Sequence, residues 1–558
     1  MDRADIVIVG AGSAGAVLAS RLSEQPKLRV LLVEAGADTP PGDVPADIAD
    51  PFPSAYFNRD YFWPGMSSAL REGEAPRPFP QPRIMGGGSS VMGMIALRGL
   101  ASDYAEWERR GARGWGWQEV LPYFRAMTND LDRPAPERNE RGVNIIRRLP
   151  REIWPRYMRD VERAAAARGY ASHADVNDTD ADGFFAAPLS QDDSRAGTAR
   201  CYLAAEVRQR PNLEIMTQTR LRNLQFDGTR VTGVVVERGG ETKAIAAREV
   251  VISAGGINSP GILLRAGIGP ANELRRLGIA PVADRPGVGR NFQNHSQMHF
   301  AVKLAPQSRL DRSRRHYIMT SLRASSGLPD CPAGDLFLYF GGRVSGRDFG
   351  TQMGIVAAAL YYPFSRGNVS LQSSDPDAPL RIDQRLLSDP RDAQRMAIVG
   401  RLAESLIRDA ALKDSISEAY LLPREPPLRL CNGVGLAGLV KAIGASAVLG
   451  SPAPLRRAIL SQALKPGRMI AGAPGLAPAS DAEFLQAAGG MFHPAGTCAI
   501  GAPDDPLAVV DPQCRVYGVQ GLRVADASVM PQIPSANTNI PTIMIGERAA
   551  DFIRAGAM

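Results

Sequence analysis

The residues best suited to chemistry lie near the two ends of the chain. Gly10, Gly12 and Gly15 stand in the spacing G-x-G-x-x-G, and Glu34 follows nineteen positions after Gly15. Gly10 allows a tight turn, Gly12 lets the backbone approach a pyrophosphate, and Gly15 lets helix and strand touch. A helix starting there offers free N–H groups and a partial positive charge to phosphates. Glu34 is spaced to accept hydrogen bonds from ribose hydroxyls. These residues predict a dinucleotide site without separating NAD from FAD. Near the other end, His493 stands in Gly489-Gly-Met-Phe-His493-Pro-Ala-Gly-Thr497. Pro494 pushes His493 towards an extended backbone, so a strand or loop presents it. Taken alone, such a histidine serves structure more often than catalysis. His173, His295, His299 and His316 show no metal-ligand spacing, and His295 with His299 reads as a structural pair.

The elements that must hold these residues follow from periodicity. Residues 6–9 and 30–33 are short apolar runs and predict buried strands; Leu18 and Leu22 mark the helix between them. Two proline-rich stretches, 39–64 and 76–82, predict irregular chain wrapped around a ligand or partner. They lead into Met85-Gly-Gly-Gly-Ser-Ser90, a backbone suited to pressing on something flat or anionic before a helix starts. Short helices are expected at 103–107 and 115–124, an amphipathic helix at 155–168, strands within 212–236 and at 250–256, and a helix starting at Pro260. From about residue 300 the pattern changes. Strands are expected at 317–323, 335–340, 354–362, 368–372 and 380–383, with a helix at 391–408. The chain is then expected to rejoin its first part, through a strand at 521–525 and a helix at 541–553 with Pro541 first and Asn539 near the cap.

The totals narrow the class. The 558 residues suffice for two or three structural regions, and 44% hydrophobic with 22% charged residues is ordinary for a globular enzyme. The net charge of +7 is spread thinly, clustering only at Arg147-Arg148 and Arg312–Arg315, which argues against nucleic acid. Five cysteines, Cys201, Cys331, Cys431, Cys498 and Cys514, form no C-x-x-C pair. That argues against a disulfide framework and a zinc site, and suits a reducing, cytoplasmic setting. A strand beginning near residue 5 leaves no room for a signal peptide. Residues 433–450 are apolar except Lys441 and Ser446, but marginal in length, glycine-rich and interrupted, which argues against a membrane span; a buried helix or a lid near the site is expected.

Taken in order, these motifs resemble the glucose–methanol–choline (GMC) family of FAD-dependent oxidoreductases. The resemblance also rests on Ser253-Ala-Gly-Gly-Ile-Asn-Ser-Pro260, Pro286-Gly-Val-Gly-Arg-Asn291, Gly521-Leu-Arg-Val-Ala-Asp526 and Asn537-Thr-Asn539-Ile-Pro-Thr-Ile-Met-Ile-Gly-Glu-Arg548. Within the family the chain looks most like the bacterial 5-(hydroxymethyl)furfural oxidase type. The resemblance implies an α/β fold (α+β overall). A Rossmann-like FAD-binding domain would span 1–300, and a substrate-binding domain with a mostly antiparallel sheet flanked by helices would span 301–484. Residues 485–558 would return to the first domain with the catalytic residues.

The cofactor implied is FAD. Gly10, Gly12, Ser13, Ala14, Gly15, Glu34, Ala35, Trp63, Ala254 and Gly255 would hold it, with Leu221 near the adenine. Gly87, Ser90, Val91, Met92, Gly93, Met94 and Phe492 would line the flavin. Asp526 and Ala527 would meet the ribityl-diphosphate region, and Pro541 and Thr542 the flavin's pyrimidine edge. His493 would be the general base and Asn539 the second catalytic residue, orienting the substrate oxygen for hydride transfer to flavin N5. The reaction implied is oxidation of a primary alcohol, aromatic or furanic, to the aldehyde and onward to the acid through the hydrate, with O2 as acceptor. The alternatives are a dehydrogenase with a non-oxygen acceptor on choline-, polyol- or pyridoxine-like alcohols, and a non-redox hydroxynitrile lyase. Three departures matter: Val91 stands where some relatives link a histidine to FAD, Met92 replaces a usual asparagine, and Phe492 replaces a tryptophan.

Overall fold

A computed structural model of the chain describes residues 2–135 and 137–557. Two sheets organise it. The first contains, in spatial order, Arg220–Asp227, Arg230–Arg238, Glu241–Ile252, Arg3–Val9, Val30–Val33 and Leu213–Met216, with Leu522–Val524 also on Glu241–Ile252. The four pairings at its centre are parallel, joining Val9 to Ile252 and Val33, Val33 to Met216, and Ile252 to Val524. Parallel strands covered on both faces need continuous apolar runs, and Val30–Val33 is buried at every position. Helix Ser13–Leu22 packs on this sheet, and helix Asn539–Ala557 packs on that helix.

The second sheet runs Arg468–Ala471, Ile416–Leu421, Ser296–Leu304, Met353–Leu360, Leu336–Gly341, Ile318–Ala324, Gly183–Ala186 and Ser172–His173. Gly489–Gly490 adds to Ser296–Leu304. It is antiparallel except where Ser172–His173 meets Gly183–Ala186. Alternation assigns its faces. Leu336, Leu338 and Phe340 face helices Arg156–Ala166 and Pro390–Ile407 in one apolar cluster. Phe337 and Tyr339 face the other way, with Tyr361 and Tyr420, towards the region where the two sheets' loops meet.

Three sequence expectations are corrected. The helix expected from Pro260 spans Gly255–Arg265, with Pro260 inside it. A proline there leaves the carbonyl four residues back without its N–H partner. That carbonyl belongs to Gly256 and accepts instead from Thr497 Oγ1 at 2.7 Å. The last helix starts at Asn539 rather than Pro541. Proline is tolerated in its first turn because those N–H groups have no intrahelical partner. The buried helix expected at 433–450 is a helix, Gly435–Gly450, but an exposed one: Leu436 is 76% and Ile443 62% accessible. Its apolar character is therefore not explained by burial in the core. No helix among the described residues is long and apolar enough to cross a membrane.

Candidate active site

A cavity of about 610 Å³ is lined by first-sheet strand residues, among them Val9, Val33 and Leu221, and by Phe492, His493 and Asn537, within the size range of small-molecule sites. One end is built by the glycine turn. Gly10 has φ +98°, and a Cβ on Gly15 would lie 1.8 Å from the Gly10 carbonyl oxygen, so strand and helix meet only because Gly15 has no side chain. Gly12 caps helix Ser13–Leu22 without any side-chain hydrogen bond, and a Cβ there would meet nothing within 4 Å. Gly12, Ser13 and Ala14 border the cavity, so the start of the helix lies at its wall, which fits an anionic pyrophosphate.

Glu34 ends its strand beside this turn. Its Oε2 accepts from Ala11 N–H at 2.8 Å and its Oε1 from Gly36 N–H at 2.7 Å. Burial pushes its pKa up, and these two bonds oppose that shift. Each oxygen keeps a lone pair, so the carboxylate can still receive a ribose hydroxyl. At the outer end, Trp63 lies under the guanidiniums of Arg83 and Arg220, 5.5 and 5.9 Å from its ring, with Leu221 also in the wall. Asp526 accepts from Gly255 N–H at 2.8 Å and Ser528 N–H at 2.7 Å, locking the end of strand Leu522–Val524 against helix Gly255–Arg265.

Of the residues expected to hold cofactor, Gly10, Gly12, Ser13, Ala14, Glu34, Ala35, Trp63, Gly87, Met92, Gly93, Met94, Leu221, Ala254, Gly255, Phe492, Asp526, Ala527 and Thr542 border the cavity. Gly15, Ser90, Val91 and Pro541 do not. Gly15 is buried in the helix–strand contact. Ser90 Oγ donates to the Met85 carbonyl at 2.7 Å, and Val91 packs among Ile48, Ala55, Phe62 and Ile84, so both side chains turn away from the space. Phe492 stands between Phe79 and Tyr56, with ring centroids at 6.0 and 5.4 Å.

His493 is placed by a backbone zipper. Gln293 and Ala495 exchange both N–H···O bonds at 3.0 Å, and Met491 N–H donates to the His295 carbonyl at 2.8 Å. Asn294 Oδ1 accepts from His493 N–H at 3.2 Å, while its amide nitrogen donates to the Met491 carbonyl at 2.6 Å. A Cβ on Gly256 would lie 2.2 Å from the Pro494 carbonyl oxygen, so the loop rests directly on helix Gly255–Arg265. The imidazole thereby borders the cavity, as do Met92, Gly93 and Met94.

Two side chains bracket the His493 ring. Its Nδ1 lies 2.9 Å from Nδ1 of His295, with the rings perpendicular. Its Nε2 lies 3.3 Å from Nδ2 of Asn537. Asn537 Oδ1 accepts from Tyr339 OH at 2.6 Å and Tyr361 OH at 2.9 Å, which orients the amide with its nitrogen towards His493. His295 is buried and stacked on Tyr361 at 4.6 Å. Burial pushes the His493 pKa down to about 4. His295 lies well below its ordinary value, through burial first and the facing His493 second. Both rings are therefore neutral near pH 7.

Asn539, expected as the second catalytic residue, and Asn537 both border the cavity but have different partners. Asn539 Oδ1 accepts from Ser13 Oγ at 2.7 Å, so Asn539 faces the glycine turn and Asn537 faces His493. The reason is the helix start: Asn539 is its first residue, beside helix Ser13–Leu22, whereas Asn537 lies in the irregular chain before it. His295, expected to be structural, touches His493. Both residues lie inside motifs visible in the sequence, but two asparagines two positions apart look alike until the turn between them is known.

The cofactor cradle and the imidazole–amide pair are accompanied by clear similarity to known proteins. The GMC oxidoreductase family matches twice, at residues 4–297 and 363–546. The chain is 39% identical to a 5-(hydroxymethyl)furfural oxidase of Methylovorus sp. (strain MP688), over 98% of each chain. It is 33% identical to an oxygen-dependent choline dehydrogenase of Rhizobium etli, covering 99% of this chain and 95% of that one. Among solved structures, pyridoxine 4-oxidase from Mesorbium loti superposes with TM-score 0.80 at 26% identity, over 99% of both. The chain belongs to the GMC oxidoreductase family and is an FAD-dependent enzyme acting on alcohols.

Proposed function

We propose that the chain oxidises a neutral primary alcohol on an aromatic or furanic ring to the aldehyde, with O2 taking up the electrons. One observation carries this reading: His493 Nε2 and Asn537 Nδ2 converge within 3.3 Å on the cavity that the glycine turn opens. A neutral imidazole holds one proton. Asn537 donates to Nε2, so that proton sits on Nδ1, directed at His295, and Nε2 carries the lone pair. An alcohol entering between them donates its O–H to His493 Nε2 and accepts from Asn537 Nδ2. Removing the proton makes the carbinol C–H a hydride donor, and the amide holds the oxygen in place. FAD, held non-covalently by the residues around Gly12, Glu34 and Asp526, supplies the hydride acceptor. The hydrate of the aldehyde offers the same O–H to the same pair, which would carry oxidation on to the acid.

In this reading the first sheet holds FAD and the second covers the substrate. The carboxylates bordering the cavity are engaged elsewhere: Glu34 on the glycine turn, Asp526 on helix Gly255–Arg265, and Asp377 on Arg220 and Arg222 at 2.6 and 2.7 Å. None hydrogen-bonds His493 or Asn537 among the described residues, so a choline-like cation finds no counter-ion there. Phe492, Phe79 and Tyr56 supply the aromatic wall. The names of the furfural and pyridoxine oxidase relatives point the same way. The test is an anaerobic screen of alcohols for flavin bleaching, followed by air. Bleaching by aryl or furanic alcohols, with peroxide on reoxidation, is expected. Bleaching without peroxide assigns a dehydrogenase, and no bleaching by any alcohol favours a non-redox lyase.

A further inference from the structure

The apolar surface of the molecule is concentrated in one place. Among the described residues, ten large hydrophobic side chains are exposed, and eight lie at 430–459: Leu430, Val434, Leu436, Leu439, Val440, Ile443, Leu455 and Ile459. Four of them, at positions 436, 439, 440 and 443, follow the i, i+3, i+4, i+7 spacing of a single helix face. In an ordinary surface helix that face points inwards. Here helix Gly435–Gly450 turns its small residues, Gly438 and Ala442, and only one large one, Leu449, to the protein. Ala442 and Leu449 join the apolar cluster of Phe349, Met353, Tyr420 and Leu422. The large side chains face solvent, which is costly unless something covers them.

The segment is anchored from its C-terminal side. Helix Ala453–Ala463 follows, and its Arg456 and Arg457 both bind the buried carboxylate of Glu418, at 2.7 and 3.0 Å. The exposed face is thus a built feature, fixed to an inner strand of the second sheet.

Charge selects the occupant. Between Glu425 and Asp481 the sequence has no acidic residue; Arg456 and Arg457 are engaged by Glu418 and Arg468 by Glu483, which leaves Lys441 and Lys465 as the cations to weigh. Lys441 and Lys465 are exposed beside the apolar face. A second copy docking through the same patch would set this acid-free segment against itself, cation facing cation. An anionic lipid surface supplies the negative charge that the segment lacks and an apolar layer for its leucines. We propose that helices Gly435–Gly450 and Ala453–Ala463 form a peripheral docking surface for an anionic bilayer, lying in the interface rather than crossing it.

The experiment is sedimentation of the FAD-loaded enzyme with vesicles of phosphatidylcholine alone or mixed with phosphatidylglycerol. The wild type should pellet with the mixed vesicles at low salt, and less with phosphatidylcholine. Leu436→Gln/Leu439→Gln/Val440→Gln/Ile443→Gln should lose about tenfold or more in vesicle partitioning, and Lys441→Gln should weaken binding and its salt dependence. Both variants should keep FAD and turnover of a water-soluble alcohol, because the changed side chains point to solvent. The proposal is overturned if the wild type stays in the supernatant with both vesicle types. It is equally overturned if sedimentation equilibrium shows a dimer that the fourfold variant dissolves while vesicles bind neither protein.

Discussion

His295 Nδ1 and His493 Nδ1 face each other at 2.9 Å, with His295 sealed beneath the ring and Asn537 at the opposite nitrogen. Two neutral imidazoles can share one hydrogen bond here only if one donates and the other accepts. The Asn537 amide decides which, because its own orientation is set by two tyrosine hydroxyls. His295 thus holds His493 in the tautomer that leaves Nε2 basic. His295→Ala should lower kcat/KM on the order of 10²-fold with FAD content unchanged, the scale expected when a catalytic group loses its aim. Single-turnover flavin reduction checks it; a change within about twofold, a tenth or less of that scale, would leave His295 a packing residue.

His493 and Asn537 are expected to act on chemistry, Asn539 on cofactor. His493→Ala should retain flavin yet lose alcohol-driven reduction by about 10²- to 10⁴-fold, the range for a general base. Asn537→Ala should lose about 10²-fold, as for a polar group that orients the reacting oxygen. Asn539→Ala removes the acceptor of Ser13 Oγ and should weaken FAD retention while flavin-normalised reduction stays near wild type. Stopped-flow reduction and flavin-to-protein ratios on the three variants separate these outcomes, and a reversed ranking of the two asparagines would restore Asn539 as the catalytic partner.

The His493 pKa sets a pH signature. Burial lowers it from 6.5 to about 4, so the base stays neutral well below the pH at which a free imidazole is half protonated. The acid limb of kcat/KM should lie nearer pH 4 than 6.5. The sign for stability follows from proton uptake: between those values the unfolded chain binds the proton and the folded chain does not. This group's contribution is therefore fully present above about pH 6.5 and lost as pH falls towards 4. Denaturant titrations of wild type and His493→Ala should show a smaller loss in the variant across that window. An acid limb near 6.5 would mean that the ring is solvated in the working enzyme.

Val91 should leave FAD free of any covalent bond. It is an alkyl side chain, wholly buried among Ile48, Ala55 and Phe62 behind the cavity wall, and has no atom able to bond to a flavin. Acid precipitation should release all of the flavin to the supernatant. Flavin colour or fluorescence kept by the washed pellet would contradict this.

Much of the scaffold was legible beforehand. The strands Arg3–Val9 and Val30–Val33 announce themselves because parallel strands buried on both faces need unbroken apolar runs. The glycine spacing is legible because each glycine answers a local steric demand. The second sheet shows in short strands at hairpin spacing, since alternation is a property of neighbours along the chain. Helix ends were less certain. Pro260 marks a helix start by local rules, yet Thr497, over two hundred positions away, satisfies the carbonyl it strands.

The amino-acid order by itself determined that a dinucleotide turn, a glycine-flanked histidine and an acid-free apolar helix would exist, because sterics and periodicity act over a few residues. Tertiary structure decided which asparagine meets His493, which histidine stands behind it, and that the apolar face of Gly435–Gly450 turns outwards. These are relations between segments 44 and 198 positions apart, or between a helix and solvent. Side-chain direction at such meetings depends on how whole elements pack, and no local pattern encodes it.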